Sequence, residues 1–130
     1  MSRFDLVKEY LIDMGMAVVS EDPENELVVV ENEDEGIKNL IVDCEAPIVI
    51  VEQLILKLRA GTPEKYKRLL QMNRTLVHGA FVLDETGEML LYRDTLQLEN
   101  LDSNELEGSV KALSLALSEY GSELLGFASA

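Results

Sequence analysis

The sequence predicts an α+β fold: an antiparallel sheet with helices packed on one of its faces. Three observations predict it. Valine- and isoleucine-rich runs crowd residues 16–58, which is the composition of strands. Turn-forming stretches separate these runs at short intervals, so neighbouring strands return antiparallel. Three other segments carry apolar residues at helical spacing, each behind a capping residue.

The first helix follows Ser2, a capping residue with Asp5 three positions later, and Gly15 supplies its stop. Phe4, Val7, Leu11 and Met14 form its apolar stripe, widened by Leu6 and Tyr10. Four extended runs follow: MAVVS, ELVVVE, IKNLIVDC and PIVIVEQLILKL. EDPEN and NEDEG separate the first three, which reads as a meander. Whether the short run at 16–20 joins the sheet stays open at this point. A second helix begins at Thr62 as cap and Pro63 at the first helical position, where a missing N–H costs nothing. Tyr66, Leu69, Leu70, Asn73 and Leu76 share its face. GAFVLD and EMLLYRDTLQL, joined by DETG, read as a hairpin. Asp102 with Glu105 is a capping box opening the last helix, whose stripe is Leu106, Val110, Leu113, Leu117 and Tyr120. Gly121 is expected to close it, leaving residues 121–130 as a tail that docks or frays. The order is therefore α-β-β-β(β)-α-β-β-α, and the 130 residues suit a single domain, 1–130.

Composition narrows the function. The net charge of −14 disfavours nucleic acid, whose phosphates would be repelled. The charged start MSRFDLVKEYLIDMG does not read as a signal peptide, and no run reaches a membrane span. A lone cysteine, Cys44, fits a reducing cytoplasm. Acidity is uneven: residues 21–45 hold ten carboxylates against Lys38 alone. Lys57, Arg59, Lys65, Lys67, Arg68 and Arg74 cluster further on. Such a surface keeps a partner-binding protein soluble or attracts a basic partner, although a merely well-solvated protein would look the same.

Residues capable of chemistry are sparse. His78, the one histidine, lies in TLVHGAF at the junction of a helix and a strand, with no nucleophile motif near it. Cys44 has no basic neighbour in sequence to activate it. ENEDEG resembles a calcium loop only superficially, since its closing ligand position is Val42. Glycines never reach a phosphate-loop spacing. Arg93 and Asp94 read as an exposed ion pair at a strand end. No catalytic residue, cofactor site or metal site is expected.

Over residues 60–120, and before them in the layout of elements alone, the chain resembles the YbjN and Tir-chaperone (CesT-type) group, with the type III secretion chaperone-like fold. The resemblance rests on Asn73, Ala80, Phe81, Leu83, Asp84, Gly87, Leu90, Leu91, Leu96, Leu98, Leu101 and Leu106, and on the element order. It implies a small cytoplasmic protein that forms a homodimer and has no catalytic residues. Chaperones of this kind hold another protein's segment, extended, on hydrophobic patches; the YbjN branch is linked to regulation. Two other readings stay open: a regulator of the same fold with a different ligand, and a small enzyme using His78.

One run suggests where a partner would bind. In PIVIVEQLILKL, the parity Ile48, Ile50, Leu54, Leu56 and Leu58 is expected to face the helices. Val49, Val51 and Ile55, beside Gln53 and Lys57, are then left on a face too apolar for water. They are the expected contacts for a second copy or an extended peptide, with packing by the C-terminal tail as the alternative.

Overall fold

The computed structural model describes residues 2–128. Its elements are α1 (Arg3–Asp13), β1 (Ala17–Asp22), β2 (Leu27–Asn32), a 3₁₀ turn (Glu33–Glu35), β3 (Ile37–Glu45) and β4 (Ile48–Lys57). They continue with α2 (Pro63–Asn73), β5 (Ala80–Leu83), β6 (Met89–Gln97) and α3 (Ser103–Phe127). The six strands form one antiparallel sheet in the order β1-β2-β3-β4-β6-β5. Residues 17–20 of the short run do belong to it, as the start of edge strand β1, with Met16 just before the strand.

The caps act as the sequence indicates. Ser2 Oγ accepts from the Asp5 amide, Thr62 Oγ1 from Lys65 and Asp102 Oδ1 from Glu105. At the end of α1 the Met16 amide reaches back to the Leu11 carbonyl across Gly15, whose φ is +94°. That left-handed turn favours glycine.

All three helices bury their stripes against the same face of the sheet. Phe4, Val7 and Leu11 of α1 meet Val28, Val30, Leu40 and Val42, with Leu106, Val110 and Leu113 of α3 beside them. A second cluster joins Leu69 and Met72 of α2 to Phe81, Leu90, Ala116, Tyr120 and Leu124. Ile55, Leu76 and Leu117 pack against both clusters.

Helix α3 does not end at Gly121. It runs on to Phe127 because its stripe continues: Leu124 is fully buried. Its end is then held to the strand β4 side of the molecule. The Phe127 carbonyl accepts from the Arg59 amide at 3.0 Å, and Lys65 Nζ reaches the carbonyls of both Phe127 and Arg59. A cation at a helix C-terminus also suits the macrodipole. Of the expected tail, residues 121–127 are thus helical, and 129–130 lie outside the described residues.

Tyr92, at the middle of β6, is buried between sheet and helices. Its hydroxyl donates to the Ser109 carbonyl at 2.8 Å and lies 3.3 Å from the His78 carbonyl. Gly79 (φ +69°) is required twice over: a Cβ there would stand 2.5 Å from the Tyr92 ring.

Two measurements check this packing. Leu113→Ala, at a fully buried site, is expected to lower unfolding free energy by about 2–5 kcal/mol in denaturant melts. A loss well below that range would mean that α3 packs less tightly than its burial indicates. Burial, aided by Glu26 and Asp43, pushes the Cys44 thiol up to about 11. Its reaction with a disulfide reagent at pH 8 should therefore be about a hundredfold slower in native than in denatured protein.

Candidate functional site: the open face of the sheet

With three helices on one side, the opposite side of the sheet has no cover among the described residues. Cross-strand rows show what it presents. Val29, Ile41, Glu52 and Arg93 are paired in one row; Leu27, Asp43, Ile50 and Thr95 form the next. Leu54, Leu91 and Val82 make a third. Leu54 is 54% exposed and Ile41 36%. A sheet face of ordinary solvated character would alternate apolar-in with polar-out; here branched apolar side chains occupy both sides.

This face corrects the reading of the β4 run. Val49 and Val51 are fully buried and point to the helices, in the core with Leu106 and Val110. Ile48, Ile50 and Leu54 point outward instead. The physical reason is a bulge: pairing with β6 shifts between Leu54 and Leu56, so the strand changes parity there. Ile55 and Leu56 consequently both pack against the inner cluster. Gln53 misled because its polarity suggested a solvent-facing position. It is buried, and its amide is satisfied internally: Oε1 accepts from the Lys38 amide at 3.0 Å, and Nε2 donates to the Gly36 carbonyl at 3.2 Å.

The Gln53 bridge marks a place where the sheet parts. Strands β3 and β4 pair only from Ile41–Glu52 to Glu45–Ile48. Beyond Ile41, β3 pairs only with β2, and beyond Glu52, β4 pairs only with β6. Asn39, at φ +53°, sits in a β3 irregularity opposite the β4 bulge. Such irregularities bend and over-twist a strand, which separates the two edges. The resulting groove, about 540 Å³, is walled by Ile41, Leu54, Ile55, Leu56 and Leu91 and by Leu117, Gly121, Leu124 and Leu125 of α3. Ile55 is thus the one expected partner-binding residue that borders the opening. Leu54, Ile41 and Leu125 carry no sequence signal that separates them from core positions.

One ion pair crosses this face. Arg93 Nη1 lies 2.7 Å from Glu52 Oε2 across the strands, not beside Asp94 as the sequence suggests. Adjacent residues of a strand point to opposite faces, so Arg93 faces out and Asp94 in. One Asp94 oxygen accepts from Thr95 and the other has no partner. Asp43, between Leu27 and Ile50, also has an unpartnered oxygen. Burial, then the neighbouring Glu45, holds its carboxyl above the usual range.

His78 is exposed, and its ring packs on α3, within 3.0 Å of where a Gly108 Cβ would stand. Among the described residues its imidazole has no hydrogen-bonded carboxylate, hydroxyl or thiol partner. No group of three or more His, Cys, Asp or Glu side chains able to hold a metal converges among them either. No helix of the described residues is long and apolar enough to cross a membrane.

Among curated proteins, none matches the chain in sequence. Solved structures match its fold throughout. YbjN from E. coli superposes with a TM-score of 0.68 at 14% identity, covering 93% of this chain and 92% of its own. The Yersinia pestis type III secretion chaperone SycH, solved in complex with a fragment of YscM2, gives 0.63 at 14% identity, covering 90% and 98%. A chain of the HopA1–SchA chaperone–effector complex gives 0.60 at 15% identity, covering 97% and 92%. At such identities the likeness is one of fold: the chain is α+β, with the architecture of the type III secretion chaperones and YbjN. The profile of the CesT_Tir_1 family matches residues 1–130, and the chain belongs to that family.

Proposed function

We propose that this protein is a non-enzymatic binding module that holds a segment of another polypeptide on the open face of its sheet. The observation that carries the reading is the outward row Ile48, Ile50 and Leu54, continued by Ile41 and Leu91, on a face that no helix covers among the described residues. Contiguous apolar surface of this kind generally marks an interaction site. Structural neighbours solved together with partner fragments or effectors support the same reading. An enzyme built on His78 finds less support, because no side chain among the described residues hydrogen-bonds the imidazole to orient it, although Ser118 and Glu119 line the same surface shelf.

A second surface favours self-association. Val77 and Leu115 are 83% and 67% exposed and line a shelf of about 510 Å³ between the α2–β5 connection and α3. A homodimer through this shelf leaves the open sheet face free for a different protein. The cytoplasm, where the thiol of Cys44 would stay reduced, is the compartment this reading expects.

The two surfaces are tested separately. Ile50→Lys with Leu54→Lys should give a protein with near-native circular dichroism that no longer retains the partners captured by the wild type from host extract. Unchanged retention by a folded double variant would remove the open face from the proposal. Leu115→Glu is expected to shift sedimentation from dimer to monomer while those partners are still captured. An unaltered sedimentation coefficient would mean that the shelf is not the contact.

A further inference from the structure

The groove between β3 and β4 is walled by hydrocarbon and holds a single unpaired charge. Ile41, Leu54, Ile55, Leu56, Leu117 and Leu125 supply the walls, and the volume of about 540 Å³ is in the range of small-molecule pockets. Ile41, Leu54 and Leu125 are exposed large apolar side chains that all border this opening. On the α3 side Gly121 also lines it, and a Cβ there would meet no atom within 4 Å. Glycine is unfavourable in a helix interior, and no neighbour in the chain uses the space it clears. Leu117 to Leu125 spans about 12 Å of α3 at the helical rise, room for an extended alkyl chain of about ten carbons.

Most polar side chains of the lining are already committed. Gln53 is bonded through both atoms of its amide, to the Lys38 amide and the Gly36 carbonyl. Glu52 is paired with Arg93 at 2.7 Å. The Lys38 ammonium remains: it is exposed and has no ion-pair or hydrogen-bond partner among the described residues. Asn39, beside it in the β3 irregularity, adds a side-chain amide to the same end of the lining. A ligand with several polar groups would press most of them against leucine and isoleucine without partners, which costs binding. One hydrocarbon chain with one anionic end matches both the walls and the free cation.

We propose that this groove binds a free fatty acid of medium chain length, with its alkyl chain along Leu54, Leu56, Leu117 and Leu125 beside Gly121 and its carboxylate at the Lys38 ammonium. The proposal is independent of the polypeptide-binding reading, whose outward residues Ile48 and Ile50 lie outside this lining. Burial of the alkyl chain supplies most of the affinity, because an ion pair with an exposed lysine contributes little. Lys38 decides which head group is preferred.

The test is calorimetric titration of the full chain with octanoate, decanoate, dodecanoate, dodecanol and dodecylammonium, each below micelle formation. A salt concentration of about 0.15 M confines electrostatics to about 8 Å, so Lys38 and not the overall −14 governs the head group. Each two-carbon extension from octanoate to dodecanoate should tighten binding by about fivefold or more. Gly121→Leu, which fills the groove without a clash, should weaken dodecanoate binding by about tenfold or more. Gly126→Leu, at an α3 glycine that has open space but does not line the groove, should stay within about twofold of wild type. Wild type should prefer dodecanoate to dodecylammonium, Lys38→Gln should bind dodecanoate no better than dodecanol, and Lys38→Glu should prefer dodecylammonium. Circular dichroism checks that each variant is folded. No saturable binding of dodecanoate by the wild type overturns the proposal, as does equal affinity of folded Gly121→Leu. A preference for dodecanoate that survives Lys38→Glu overturns it too, and so does a loss in Gly126→Leu as large as that in Gly121→Leu.

Discussion

The structure depends on one asymmetry: a six-stranded sheet whose three helices all lie on the same side. Once α1, α2 and α3 take the inner face, every second residue of each strand is committed to the core, and its neighbours are committed to the other face. Tyr92 fixes this arrangement at its centre. Its ring fills the space left by Gly79, and its hydroxyl ties β6 to α3 through the Ser109 carbonyl. A buried hydroxyl without that acceptor would cost about 1–3 kcal/mol, so the contact sets where along the strand the helix can lie. The outer face is left to whatever else the protein meets.

Side-chain amides stand in for strands at two places where the ladder stops. Gln53 fills the gap between β3 and β4 by bonding the Gly36 carbonyl and the Lys38 amide. Asn73, at the end of α2, does the same for β5: its Oδ1 accepts from the Phe81 amide at 2.7 Å, and its Nδ2 donates to the Phe81 carbonyl at 3.1 Å. An amide side chain has one donor and one acceptor group in nearly the geometry of a peptide unit, so it closes an edge that would otherwise invite another chain. The β5 edge is protected in this way. The groove is bridged at one point and left open along the rest.

Charge and apolar surface have complementary roles. The acidic balance favours a well-solvated surface, while an uncovered apolar face favours contact with another protein. The ion pairs on the surface, such as Lys8–Glu21 and Arg68–Glu123 at 2.9 and 2.7 Å, are partly exposed and contribute little to stability. They hold α1 to β1 and α2 to α3 in register more than they hold the fold together. Stability resides in the two apolar clusters and in the residues Ile55, Leu76 and Leu117 that join them.

The sequence by itself determined the elements and their order, because each is specified by local signals. Caps at Ser2, Thr62 and Asp102, turn residues between strands, and stripes such as Leu106, Val110 and Leu113 act within a few residues of chain. It also carried the family resemblance, in the apolar positions and turns that follow Asn73. Which face of β4 meets the helices was decided by tertiary structure alone. The bulge between Leu54 and Leu56 reverses strand parity, and a bulge arises from pairing with β6, not from any property of the β4 residues. The same holds for Gln53, polar in sequence yet buried, since its partners lie fifteen or more residues away. Helix α3 passed through Gly121 for a like reason: the burial of Leu124 and the Arg59 and Lys65 contacts at its end outweigh a local stop signal. Local rules fix what each segment becomes, and long-range pairing fixes which of its sides remains exposed.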